Sequence, residues 1–257
     1  MTQLLARLLL TLACVWLVCA GLLLHHTPLR TWPLGVAAVL VTASALVTQL
    51  RALQTQNVLV AAALTLVLGS LVIWLNSKTS IPFGPLVFTE RAGGQLLEGL
   101  PLVLPLLWLG VLVTARGVAR LILRPWRKLR TYGFRVMGLT CALVAVFDFG
   151  LEPFASKANH LWLWLPTNLA STWFGAPWIN FFGQLVVTLL ILAVITPWLI
   201  NKMPSGKRPP DFQPLILWQA LNLFLAVNLA AHSLWLAVAV TVIQITMVSS
   251  LAWKNAR

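Results

Sequence analysis

Asp148 and Glu152 are the residues best placed to do chemistry. They are four apart in Phe147-Asp148-Phe149-Gly150-Leu151-Glu152-Pro153, a spacing that puts both carboxyls on one helix face if the helix persists through Gly150. Asp148 ends an apolar run from Cys141 to Phe147. An acid at membrane depth costs about 2.5–3.5 kcal/mol on insertion scales, so it should face protein or water. A carboxyl in apolar surroundings beside a second carboxyl holds its proton at neutral pH and can act as a general acid. The other reading is an acid at a helix end, with Pro153 marking the exit. Asn180 and Gln184, also four apart, open a later apolar segment. They serve either as interhelical hydrogen-bond glue or to hold a water beside the carboxyls.

These side chains must be positioned by membrane helices. Sixty per cent of the 257 residues are hydrophobic, 9% are charged, and the mean hydropathy is +0.90. A soluble domain is nearer half apolar and a quarter charged. Eight apolar runs are long enough to cross a bilayer: residues 8–24, 32–50, 57–75, 97–115, 133–151, 179–200, 214–231 and 233–253. They would be seven if the stretch from Pro214 to Trp253 were undivided, but one helix of about 40 residues would be about 60 Å long, so it is divided at Ala231-His232-Ser233. Alternation typical of barrel strands is absent. The expected fold is therefore all-α, one polytopic transmembrane bundle over residues 1–257. The first run, preceded by Arg7 and containing Val18-Cys19-Ala20, resembles a cleavable leader; it continues through Leu24 and is read as a helix.

The connection over residues 152–178 holds Trp162, Trp164, Trp173, Phe174 and Trp178 with Pro166 and Pro177. It is too broken to span and too apolar for an ordinary loop. It reads as an interfacial or re-entrant segment covering the polar residues, or as an aromatic belt at the headgroups.

The net charge of +13 reads as loop charge rather than nucleic-acid affinity, because no nucleic-acid motif accompanies it. With eight spans, fourteen of the eighteen Lys and Arg fall on one side, including the run from Arg116 to Arg135, which reads as a loop facing lipid headgroups. The positive-inside rule then puts both termini in the cytoplasm. Glu90, Glu98, Asp148 and Glu152 gather at the opposite end, leaving Asp211 alone on the basic side. Glu98, at the start of span four, suits the helix dipole. The cysteines Cys14, Cys19 and Cys141 lack metal-ligand spacing. No aspartate-rich magnesium motif, phosphate-cradling loop or dinucleotide fingerprint is present, so neither a cofactor nor a metal is expected. The chemistry that remains needs only protons, water and an apolar pocket.

Three stretches resemble the membrane carotenoid-biosynthesis family, whose characterised members are carotenoid hydratases. The first is Ile81-Pro82-Phe83-Gly84, then Phe88-Thr89 and Gly99-Leu100-Pro101 through Trp108. The second is Asp148 with Glu152-Pro153, where the family shows two aspartates. The third runs from Trp173-Phe174-Gly175-Ala176-Pro177 to Asn180-Phe181-Phe182-Gly183. Together they span residues 81–184. Leu86, Phe88, Trp173 and Phe174 replace family tyrosines, and Gln184 a usual aromatic, so a tyrosine proton relay is not carried over.

The resemblance implies water addition across the terminal 1,2 double bond of an acyclic carotenoid end group, in a bacterial inner membrane. Asp148 would be general acid, Glu152 its partner or base, and Asn180 would orient water or acid. Phe83, Trp173 and Phe174 would shape the end-group pocket, Gly84, Gly175 and Pro177 would set loop geometry, and Gln184 and Glu98 complete the substrate side. The expected partners are a carotenoid and membrane lipid, with the oligomeric state open. A cyclase using the same carbocation and a non-enzymatic carotenoid-binding or assembly protein are the rival readings.

Overall fold

The computed structural model describes residues 2–26, 32–97, 99–166, 172–200 and 209–256. Eight helices dominate it: α1 (Thr2–His26), α2 (Trp32–Leu50), α3 (Thr55–Thr79), α4 (Val103–Ile122), α5 (Tyr132–Pro153), α6 (Trp178–Ile195), α7 (Gln213–Ala231) and α8 (Trp235–Ala256). Each is long and apolar enough to cross a membrane, and the protein is an all-α integral membrane bundle. The two faces of α1 show why hydrophobicity runs all round these helices. Ala6, Leu10, Ala13, Leu17, Ala20 and Leu24 are buried, a three-four spacing that makes one seam against α2 and α7. Leu4, Leu8, Leu12, Val15, Val18 and Leu22 are exposed and meet lipid.

The most buried helix is α4, packed against α2, α3, α5, α7 and α8. Thr42 of α2 donates to the Leu106 carbonyl at 2.7 Å. A Cβ at Gly110 would lie 2.8 Å from Thr42 Oγ1, so the missing side chain is what lets these two backbones close. The division of the last apolar stretch falls where expected: His232 and Ser233 form a turn, with Ser233 at φ 58°, between α7 and α8.

Two spans differ from the sequence reading. Span four starts later and ends later, because Leu97, Leu100 and Pro101 belong to a hairpin, β2 (Gln95–Leu97) with β3 (Leu100–Pro101), with Gly99 at φ +86°. The helix then runs to Ile122, so Arg116 and Arg120 belong to α4 and not to the connecting loop. Span five passes through Pro153 rather than stopping there, and continues as a π-helical turn over Phe154–Ala158.

The connection after that turn is a cover of short ladders. β1 (Leu86–Phe88) pairs antiparallel with β4 (Trp162–Trp164), matching Leu86 with Trp164 and Phe88 with Trp162. β5 (Thr172–Trp173) and β6 (Ala176–Pro177) close a tight hairpin that leads directly into α6.

Candidate active site

On α5 the four-residue spacing survives Gly150, and both carboxyls point inward: Asp148 is 2% exposed and Glu152 3%. Packing of α6 against α5 brings Asn180, itself 3% exposed, between them. Its amide nitrogen donates to Asp148 Oδ2 at 3.0 Å and to Glu152 Oε1 at 2.9 Å. The two protons of one amide thus hold two carboxyls in a fixed relation. Gln184, one turn further along α6, lines a cavity together with Asp148.

The other oxygen of Glu152 is held from the cover. Trp162 Nε1 and Trp164 Nε1 donate to Glu152 Oε2 at 3.1 and 2.9 Å. Alternate residues of a strand share a face, so a Trp-Leu-Trp strand presents two indole N–H groups to one oxygen while Leu163 stays exposed. Glu152 therefore receives three N–H donors, two of them from residues that the sequence reading treated only as aromatic cover. The alternation of Trp162 and Trp164 was the available signal.

Above the carboxyls lies a cavity of about 90 Å³ between α3, α4, α5 and α6. Its walls are apolar, among them Ile73, Leu107, Val111 and Phe147, and its polar members include Asp148, Glu152, Asn180 and Gln184. Gln184 Oε1 and Trp108 Nε1, both buried, have no hydrogen-bond partner. A second cavity of about 50 Å³ shares Leu104, Leu107, Phe147, Leu151 and Trp162 with the first.

Phe83 lines the larger cavity, edge-on to Trp108 at 5.9 Å. Its turn is fastened by Asn76 of α3, whose Oδ1 accepts from Phe83 N at 2.7 Å and whose Nδ2 donates to the Gly84 carbonyl at 3.1 Å. Gly84 adopts φ +107°, and a Cβ there would meet the Pro177 ring at 3.1 Å. The Pro82 carbonyl would lie 2.6 Å from a Cβ on Gly183, so the turn rests on the α6 backbone. Asn76 was not singled out from sequence, because one amide in an apolar run carries no pattern.

Trp173 and Phe174, expected to shape the end-group pocket, do not line this cavity. Pro153 lacks the N–H that would bond the Phe149 carbonyl four residues earlier, and Trp173 Nε1 donates to that carbonyl at 2.9 Å. Trp173 also meets Phe149 edge-on at 5.7 Å and Phe174 at 5.0 Å. The pair thus fastens the hairpin to the outer side of α5, with Gly175 at φ +94° making its turn. Pro177, buried against Gly84, caps the entry to α6. Glu98 lies outside the described residues.

Among the described residues no three histidine, cysteine, aspartate or glutamate side chains gather as a metal site requires. The arrangement can donate a proton from a carboxyl into an apolar cavity, receive one at a second carboxyl, and bond a small polar molecule through Gln184.

No curated protein and no solved structure matches the chain. A family model described as carotenoid biosynthesis protein matches residues 33–248, a range that contains both carboxyls, Asn180, Gln184 and the two cover tryptophans. With that match over most of its length, the chain belongs to the carotenoid biosynthesis protein family.

Proposed function

We propose that the protein is a carotenoid hydratase that adds water across the terminal 1,2 double bond of an acyclic end group. The observation that carries this reading is the buried carboxyl pair, bridged by one amide, beneath an otherwise apolar cavity. The end group enters the cavity while the polyene remains in apolar surroundings. The Asp148 carboxyl gives its proton to C2, the less substituted carbon, and the positive charge develops on tertiary C1. Water held by Gln184 Oε1 attacks C1, and Glu152, fixed by its three N–H donors, receives the proton that water loses. Return of that proton from Glu152 to Asp148, directly or through a water in the cavity, restores the starting state, so one water is consumed and no redox partner is needed. The ring of Trp108 lines the same cavity and offers a π face to the cation.

The basic majority at the other end of the helices supports a site on the non-cytoplasmic side of a bacterial inner membrane, with both termini in the cytoplasm.

Expression in cells that accumulate lycopene or γ-carotene, with mass analysis of the extracted pigments, tests the reading. The expected product gains one water. In Asp148→Asn the side-chain oxygen still accepts from Asn180, so the protein should reach the membrane intact while product falls by about 10²–10⁴, the usual worth of a general acid. Product of unchanged mass but new retention would indicate the cyclase. Pigment that co-purifies unaltered would indicate a binding protein, and full activity in Asp148→Asn would remove the proposed acid.

A further inference from the structure

The opposite end of the bundle holds a chamber that the proposed reaction does not use. It is an open cavity of about 890 Å³, near the upper end of the range usual for small-molecule sites, roughly 300–1,000 Å³. Arg51, Arg116, Arg120, Arg124 and Arg127 line it together with Tyr132, the only tyrosine of the chain. The one carboxylate on its described wall is Asp211, which Arg51 holds at 3.0 Å. Tyr132 and Asp148 are sixteen residues apart on α5, about 24 Å along the helix, so the chamber is separate from the carboxyl pair.

Arg116 is the informative member. Its side chain is buried, at 6% exposure, two turns inside the end of α4. One guanidinium nitrogen, Nη2, donates to the Leu199 carbonyl at 2.8 Å, while Nη1 has no hydrogen-bond partner. A buried charge with an unmade bond is costly. Arg120 stands one turn along the same helix, where its like charge adds repulsion. No carboxylate on the described wall pairs with Arg116, because Asp211 is bonded to Arg51. A basic loop serving only to orient the chain would keep its arginines in water; here one is buried in α4 and four more stand around the same space.

We propose that this chamber binds a phosphate group, carried by an anionic lipid headgroup or by a free phosphate, with Arg116 Nη1 and the Arg120 and Arg127 guanidiniums as donors. Several planar N–H forks converging on one cavity match the tetrahedral oxygens and multiple negative charge of phosphate. The half-buried Arg120 and exposed Arg127 lead inward to the buried Arg116, so a ligand exchanges its hydration for guanidinium bonds stepwise.

The full chain, purified in uncharged detergent, is titrated in one arm with inorganic pyrophosphate. In the other it is titrated with phosphatidic acid in mixed micelles, diacylglycerol being the uncharged control; binding is followed calorimetrically. Saturation with pyrophosphate identifies free phosphate as sufficient, and saturation with phosphatidic acid alone identifies a headgroup. In either case Arg116→Gln and Arg120→Gln each weaken binding by roughly tenfold or more, whereas Arg135→Gln, exposed and outside the chamber, changes it less than about twofold. Arg120→Gln keeps the test decisive if Arg116→Gln fails to fold. Absence of saturation in both arms overturns the proposal. So does indifference to Arg120→Gln, or a loss in Arg135→Gln equal to that in Arg120→Gln, which would mean diffuse attraction to a basic surface.

Discussion

Replacing Asn180 by leucine isolates what the bridging amide does. The two side chains have the same number of heavy atoms and a similar branched shape, so the change leaves packing nearly constant and removes two bonds, those of 3.0 and 2.9 Å to Asp148 and Glu152. Each hydrogen bond to a charged group is worth about 1.5–3 kcal/mol, and breaking a buried charged network costs about 3–5 kcal/mol. Because Asp148 holds a proton in the proposed resting state, a direct bond between the carboxyls limits the loss, and about 3 kcal/mol is the expected size. For a chain of this length that is a fall on the order of 10 °C in melting temperature, read by size-exclusion fluorescence after heating in detergent. Gln184→Leu, which leaves both of those bonds in place, should lower it less. Asn180→Asp, which sets a third carboxyl against the pair, should lower it more. Adding Asp148→Asn and Glu152→Gln to Asn180→Leu should recover most of the loss, because neutral amides bond one another without a bridging donor. If Asn180→Leu melts with the parent protein, or if the triple substitution is no more stable than Asn180→Leu, the amide is not what holds the pair.

Two further outcomes follow from the contacts around the carboxyls. Trp162→Phe and Trp164→Phe each remove one N–H from Glu152 Oε2 and should each cost about 1.5–3 kcal/mol. Because both serve one oxygen, the double variant should depart from additivity by more than about 0.5 kcal/mol, measured by the same melting assay; strict additivity would mean the indoles act separately. Trp173→Phe should cost about 1 kcal/mol for the lost bond to the Phe149 carbonyl. In a Pro153→Ala background, where residue 153 regains an N–H for that carbonyl, the cost should largely disappear, and an unchanged cost would refute the substitution of indole for backbone.

The comparison of sequence with structure turns on reach. Residues 8–24 can be read as a membrane helix because the cost of exposing hydrocarbon to water depends on composition and length alone. The pairing of Asp148 with Glu152 and of Asn180 with Gln184 is legible for a similar reason, since helical periodicity relates residues four apart wherever the helix sits. The start of α4 was misplaced because Leu97, Leu100 and Leu102 extend its apolar run backwards in sequence, and only the pairing as a hairpin separates Leu97 and Leu100 from the helix.

Trp173 shows a subtler limit. Its place in a motif suggested a pocket wall, yet its indole serves a carbonyl that Pro153, twenty positions earlier, leaves without a partner. Asn76 was silent in the sequence, since a lone polar group in an apolar run acquires meaning only from what packs against it.

By itself, then, the sequence determined the number and composition of the spans, the segregation of acids from bases and the face shared by the two carboxyls, because these rest on local periodicity and on solvation energies summed along a segment. Tertiary structure decided that one α6 amide bridges both acids, that a strand aims two indoles at Glu152, and that Arg116 points into a chamber instead of a loop. Those depend on which helix faces meet, and in a bundle apolar on every side, hydrophobicity alone does not distinguish the face that meets protein from the face that meets lipid.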